Sequence, residues 1–394
     1  MRIPYNVSVG FVGTYPPTVC GIATFTASMV NALVAQHPHD GRGRVGVVSL
    51  TDRNVGVAGP PVVFHHRIGD AGSLRGAIEA LSAYDTVSIQ HEFGIFGGRD
   101  GDEVIDLMSG LTVPTAVTLH TVLAEPTTHQ RAIVERMCQA ASRMVVMSQT
   151  AADRLAGEYT MDPGRIRLIP HGADPEFAGR SRSTGDRPLI LTWGLIGPGK
   201  GLEWAIEACS GLLDLEPLPR YLILGSTHPQ VRQASGESYR DSLTSLARRL
   251  GVDSIVEFDD RHLTRKALAR MVRSADIVVL PYESMEQVTS GVLVEAVAAA
   301  KPVVATPFPH AVELLSGGAG IIFPHRDAAA LSDALRELLT YPDRMADMTQ
   351  RARRVAEGMY WPSVALKFAE TMSEMAEGSG MGSPLVASGR RAAG

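Results

Sequence analysis

Short, uninterrupted apolar runs alternate with helical stripes along most of this chain. Segments 7–12, 45–50, 86–90, 115–119, 144–147 and 166–169 are short, uncharged but for Arg167, and built around Val, Ile, Leu, Met or Phe. That pattern predicts buried strands of a parallel sheet. After the first run, Ile22, Phe25, Met29, Leu33 and Val34 recur on one helical stripe. The second half repeats the grammar, with strands over 189–193, 221–225, 254–258, 277–281 and 301–306. Helices are predicted over 202–213, 239–250, 265–274, the Ala-rich stretch after Ser290, and 310–315. Segments 327–339 and 342–358 read as closing helices; Tyr360-Trp361-Pro362 interrupts, and 364–375 is a last amphipathic helix. Strands alternating with helices in two blocks predict two α/β halves of similar architecture.

Length agrees with that division. At 394 residues the chain exceeds what one core holds, so two domains of roughly 190 residues are expected. The polar, glycine-containing stretch 180–187 reads as the linker between them. The expected parts are a first domain over 1–178, a second over 188–358, a crossover helix over 359–376 and a disordered Gly/Ser/Ala/Arg-rich tail over 377–394. A net charge of −5 gives no reason to expect nucleic acid as a partner. No apolar run approaches the roughly 18 residues that a membrane span requires. No signal peptide is legible. Cys20, Cys138 and Cys209 are scattered without metal-ligand spacing, which points to reduced cysteines, a cytoplasmic protein and no bound metal.

Candidate chemistry concentrates in 188–208. A buried strand runs into Gly194, Gly197, Pro198 and Gly199, then Lys200-Gly201, then a helix. Small residues let the backbone approach an anion, and free N–H groups of a first helical turn point at it. Lysine adds a compact positive charge, and only Lys200, Lys266, Lys301 and Lys367 stand among 37 basic residues. Gly194 to Lys200 also has the spacing of a nucleoside-triphosphatase P-loop. However, Gly201 stands where a Ser or Thr would hold Mg²⁺. The strand ends collect further polar groups: Gln90-His91-Glu92 and then Leu119-His120-Thr121. Ligands of open α/β sheets bind beyond the carboxyl ends of the strands, so these groups line a candidate crevice. Ser290 is a good N-cap for the helix that follows, which creates a second anion site near Gly291. Glu295 lies about one turn into that helix.

Taken together, TYPPTVCGIATF, QHEFGIFGG, the strand ending at His120, IPHGAD, GLIGPGKG and KPVVATPFPHAVELL resemble the family 4 glycosyltransferases, in a bacterial branch. The resemblance covers about residues 7–376. It implies an α/β fold of GT-B architecture: two Rossmann-like, doubly wound domains facing across a cleft, with the C-terminal helix returning to the first. It also implies a retaining, metal-independent hexosyltransferase that moves a sugar from a nucleoside-diphosphate-sugar, UDP- or GDP-linked, without a cofactor. Residue by residue, His120 is similar to the histidine that touches the donor sugar and the reacting centre. Lys200 matches the diphosphate-binding lysine, with Gly199 beside it. Gly21 would face donor phosphate and acceptor, and Glu295 would hold the ribose hydroxyls. Ser290, Gly291 and Val292 would give backbone N–H groups to the distal phosphate. Tyr15, His91 and Glu92 are acceptor-side candidates.

The sequence departs from the family pattern twice. Leu195 replaces an arginine five positions before Lys200, and Arg261 or Arg265 is a candidate substitute. Gln287 stands where the first acid of a two-acid motif belongs, with Glu286 adjacent. Saccharide, metabolite and lipid-linked acceptors all remain open, peripheral membrane association included. The alternatives are a non-catalytic nucleotide-sugar- or glycan-binding member and, further off, the P-loop enzyme.

Overall fold

The computed structural model of the chain describes residues 7–36, 45–52, 56, 58–179, 185–261 and 263–378. Most of the expected linker and tail residues 379–394 lie outside the described residues.

The first half opens with β1 (Val9–Gly13), α1 (Gly21–Gln36), β2 (Val45–Thr51), β3 (Val62–Arg67) and α2 (Ala71–Ser82). It continues through β4 (Thr86–His91), α3 (Glu103–Gly110), β5 (Thr115–Leu119) and α4 (Thr128–Ala140). It ends with β6 (Arg143–Val146), α5 (Gln149–Glu158) and β7 (Ile166–Leu168). These strands form a 7-stranded parallel sheet in the order β3-β2-β1-β4-β5-β6-β7.

The second half runs β8 (Leu189–Trp193), α6 (Leu202–Ala208), β9 (Arg220–Leu224), α7 (Pro229–Ser235), α8 (Ser238–Arg249) and β10 (Val256–Asp259). Next come α9 (Arg265–Ser274), β11 (Ile277–Leu280), α10 (Gly291–Ala298), β12 (Val303–Ala305) and α11 (Pro309–Leu315). After β13 (Gly320–Ile322), the helices α12 (Ala328–Thr340), α13 (Pro342–Ala356) and α14 (Trp361–Gly378) complete the chain. Its 6-stranded parallel sheet has the order β10-β9-β8-β11-β12-β13.

Both sheets are apolar on both faces, as near-continuous apolar strands require, and helices cover each face. In each sheet the order reverses beside the first strand of its domain, at β1/β4 and at β8/β11. Ligand crevices form at such switch points.

Five elements depart from the expectation. The strand β3 was not anticipated: it is an edge strand whose sequence, VVFHHR, is mixed in polarity. Nor were α7 and β13, both short. The helix expected over 202–213 tightens after Ala208 into a 3₁₀ turn over Cys209–Leu212. Trp361 does not interrupt the last helix but begins it. Pro362 falls in the first turn, where a missing N–H breaks no intrahelical bond.

The chain crosses between domains twice, and the two crossings pair. The Ala173 N–H donates to the Met359 carbonyl at 2.8 Å, and the Trp361 N–H donates to the Ala173 carbonyl at 2.9 Å. Trp361 lies directly on Gly172, where an added Cβ would come within 2.3 Å of the indole. From there α14 returns to the first domain, stacking Phe368 on Phe11 at 5.5 Å. Among the described residues, no helix is long and apolar enough to cross a membrane.

Candidate active site

In the second domain, β8 delivers Trp193 and Gly194 into a tight turn that ends at Lys200. Gly201 has φ of 63°, and a Cβ there would lie 1.9 Å from the Pro281 carbonyl oxygen. The position thus admits only glycine, and the Mg²⁺-binding hydroxyl of a P-loop has no place there. Trp193, Gly194, Leu195, Lys200 and Tyr282 line one recess. The Lys200 ammonium sits 4.3 Å from the centre of the Tyr282 ring, a cation–π contact worth about 0.5–2 kcal/mol. No carboxylate among the described residues pairs with it, and burial pulls its pKa below the usual lysine value. A desolvated, unpaired cation favours an incoming anion.

Beside Gly194 stands the start of α10, where Val292 Cγ2 lies 3.8 Å from the Cβ position of that glycine. Ser290 caps the helix as the sequence predicts, its hydroxyl accepting from Leu293 N–H at 3.3 Å. One expectation is corrected here. The Ser290 N–H is already given to Nδ1 of buried His310 at 2.8 Å, so it is not free for a phosphate. Gly291 and Val292 keep unpaired N–H groups, since the first helical residues have no partner within the helix. His310 also donates its own N–H to the Gln287 carbonyl at 3.2 Å. It therefore braces both ends of the 287–290 turn, a role no sequence signal announces.

Glu295 lies mostly buried between Trp193 Nε1 and Arg265 Nη1, each at 3.3 Å. Burial raises its pKa, against the opposing pull of Arg265. Of the candidate substitutes for the missing arginine, Arg265 is thus engaged with Glu295 and, at 3.7 Å, with Asp174. Arg261 is turned away onto Asp259 at 2.6 Å. Gln287 ties its amide to the Thr289 carbonyl at 3.2 Å. Glu286 points to the first domain, where it accepts from Ala124 N–H at 2.9 Å and Arg154 Nη1 at 2.7 Å.

From the first domain, His120 emerges at the end of β5. Its Nε2–H donates to Gln90 Oε1 at 3.0 Å, which leaves Nδ1 as a bare acceptor. Burial, reinforced by His171 and His91, lowers its pKa to about 3. Phe25 of α1 packs edge-on against both His120 at 4.8 Å and His171 at 5.0 Å. Gly21 is exposed, and an added Cβ would meet nothing within 4 Å, so local packing does not demand a glycine there.

Tyr15 is buried, and its hydroxyl pKa is raised for that reason. Glu92 accepts from Phe93 N–H at 3.0 Å and from the Thr121 hydroxyl, and burial raises its pKa. His91 corrects the acceptor-side expectation. It is wholly buried behind the strand end, against Phe93 and Phe96, with neither ring nitrogen partnered.

Two parallel α/β domains facing each other across a cleft, with a helix returning to the first, define the GT-B class of glycosyltransferases. The chain belongs to family 4 within it. Residues 19–177 match Glycosyltransferase Family 4, and residues 174–355 match Glycosyl transferases group 1. A D-inositol 3-phosphate glycosyltransferase of Kineococcus radiotolerans is 30% identical over 254 residues, 59% of this chain and 57% of that protein. The match therefore spans less than two thirds of that relative. Sucrose-phosphate synthase from Thermosynechococcus elongatus superposes with a TM-score of 0.75 at 18% identity, covering 94% of this chain and 100% of that one. HepE of Anabaena, solved in complex with UDP and glucose, superposes with a TM-score of 0.71 at 15% identity, covering 93% and 100%. At such identities the structural likeness speaks for the fold.

Proposed function

We propose that this protein transfers a sugar from a nucleoside-diphosphate-sugar to an acceptor hydroxyl, with retention at the anomeric carbon. The observation that carries the reading is Lys200, desolvated and without a carboxylate partner, in the recess beside the unpaired amides of Gly291 and Val292. Such a cradle fits the charge that grows on a departing diphosphate. In the proposed step the bond from the anomeric carbon to the diphosphate oxygen breaks. The acceptor oxygen bonds to that carbon from the same face, and its proton passes to the leaving phosphate oxygen. No protein nucleophile takes part, and Lys200 with the two amides fills the part that a divalent cation plays elsewhere. Glu295, set between Trp193 and Arg265, is the proposed holder of the ribose hydroxyls. The bare Nδ1 of His120 faces the reacting sugar in this reading.

UDP in the HepE structure supports a uridine donor, with GDP the other nucleotide in view. The name of the Kineococcus relative favours a small metabolite as acceptor over a saccharide or lipid-linked one. The experiment is titration of UDP, GDP, ADP and ATP into the protein, with Mg²⁺ and with EDTA. Tight binding of one diphosphate in EDTA is expected. Binding of ATP alone, and only with Mg²⁺, would overturn the reading.

A further inference from the structure

His171 belongs to the first crossing between the domains and has no part in the transfer step described above. Its ring is clamped on three sides. Nδ1–H donates to the Gly172 carbonyl at 2.8 Å, Phe25 meets the ring edge-on at 5.0 Å, and Trp361 lies against it at 5.6 Å. A carbonyl can only accept, so the ring proton sits on Nδ1 and Nε2 is left with its lone pair. That nitrogen hangs over the start of α10: a Cβ on Gly291 would lie 3.1 Å from it. Burial above all, with the charges of His310 and Arg265 adding to it, lowers the pKa to about 4. At neutral pH the ring is therefore an uncharged acceptor.

This chemistry narrows what can sit there. The amides of Gly291 and Val292 donate, and a phosphate oxygen suits them. The bare Nε2 repels a phosphate oxygen and needs a group that brings its own hydrogen. The group covalently next to the distal phosphate of a nucleotide-sugar is the sugar, and its hydroxyls bring one. We propose that His171 accepts a hydrogen bond from one hydroxyl of the transferred sugar and thereby selects donors that carry it. His120, on the same Phe25 ring, presents a second bare acceptor. The two histidines then read different hydroxyls from rings that a shared phenylalanine holds still. Pre-organised acceptors of this kind discriminate strongly, because an analogue lacking the hydroxyl leaves the nitrogen buried and unpaired.

The inference rests on the glycosyl-transfer reading, and its test separates the two. UDP, UDP-glucose and the 2-, 3-, 4- and 6-deoxy forms of UDP-glucose are titrated into wild type, His171→Phe and His171→Gln. Should wild type select GDP, the GDP-mannose series replaces them. Phenylalanine keeps the packing on Phe25 and Trp361, and a thermal melt checks the fold. The affinity of His171→Phe for UDP alone should match wild type, while that for UDP-glucose falls about tenfold. For a single deoxy-sugar, wild type should already show that loss and the variant should lose nothing more. His171→Gln, which restores an acceptor, should recover part of the affinity. Equal weakening for UDP itself, or for every deoxy-sugar alike, overturns the role of His171 alone. Wild type that binds none of UDP, GDP and ADP overturns the reading and this inference with it.

Discussion

Half-buried Lys200 and wholly buried His91 both lack polar side-chain partners, yet their surroundings assign them opposite parts. Lys200 opens into a recess and rests on an aromatic face, so an anion can reach it. Replacing it with Ala should weaken binding of the preferred nucleoside diphosphate about a hundredfold or more and abolish turnover, since a charge-assisted bond in a desolvated site is lost. Thermal stability should fall only slightly, because the lysine makes no ion pair in the unliganded protein and loses only its contact with the Tyr282 ring, about 0.5–2 kcal/mol. Unchanged titration curves for that variant would sink the site assignment.

His91 is sealed, and burial pulls its pKa to about 3 against an unfolded value near 6.5. Between those two values the unfolded chain binds a proton that the folded one refuses. Stability is therefore retained above about pH 6.5 and lost as the pH falls, by roughly 1.4 kcal/mol per pH unit for this group. His120 near 3 and His171 and His310 near 4 act in the same direction. His91→Phe fills the space between Phe93 and Phe96 and removes two unpaired nitrogens. Urea unfolding from pH 7 down to pH 4 should show a shallower loss of stability than wild type, by about one proton. Parallel profiles would mean that His91 finds a partner in solution.

At the scale of elements, the site depends on two strand-to-helix turns. Gly201→Ser tests the first. A side chain at φ 63° costs about 1–3 kcal/mol, and the clash with the Pro281 carbonyl adds to that. Chemical denaturation should show the loss, and the variant should gain no Mg²⁺-dependent nucleotide hydrolysis; a stable, Mg²⁺-dependent variant would reopen the P-loop reading.

How much of this was legible depends on how local the signal is. The β8 run, the glycine turn and the Ser290 cap are written in contiguous residues, and apolar period plus capping chemistry reveal them. The α9 helix has the bounds its apolar stripe predicts, and in the structure Thr264 caps it. The roles of His310, Phe25 and His171 are made by contacts between distant segments, for which no spacing rule exists. The same holds for Ser290: its capping hydroxyl was readable, but the histidine that takes its amide was not. Glu286 and Gln287 mislead for a related reason. Their position in the sequence suggests a ligand, whereas the fold gives one to the opposite domain and ties the other into its own turn.

Across the whole molecule, one helix joins the anion turn to the closure of the cleft. On α11, His310 holds Ser290, and one turn further Glu313 reaches across to the first domain. There its carboxylate accepts from the N–H groups of Gln149 at 2.7 Å and Thr150 at 3.0 Å, and from the Thr150 hydroxyl at 3.0 Å. A carboxylate on the first amides of α5 satisfies orphan donors and the positive end of that helix. A second tie lies nearby: Glu286 grips Ala124 and Arg154, and Val288 is buried in the core of the first domain. Both ties reach the 287–291 turn, one through α11 and one directly, so opening the cleft must disturb the amides proposed to hold phosphate. Each tie alone is worth about 1–3 kcal/mol where it is partly buried. Glu313→Ala with Glu286→Ala should therefore open the domains while each retains its own core. Small-angle scattering should give a larger radius of gyration than wild type, and hydrogen exchange at Gln149 and Thr150 should quicken. Turnover should fall, and saturating nucleotide should restore part of the compaction by bridging the two halves. A double variant with unaltered scattering and unaltered exchange would show that the crossing at Ala173 and Trp361 alone sets the domain arrangement.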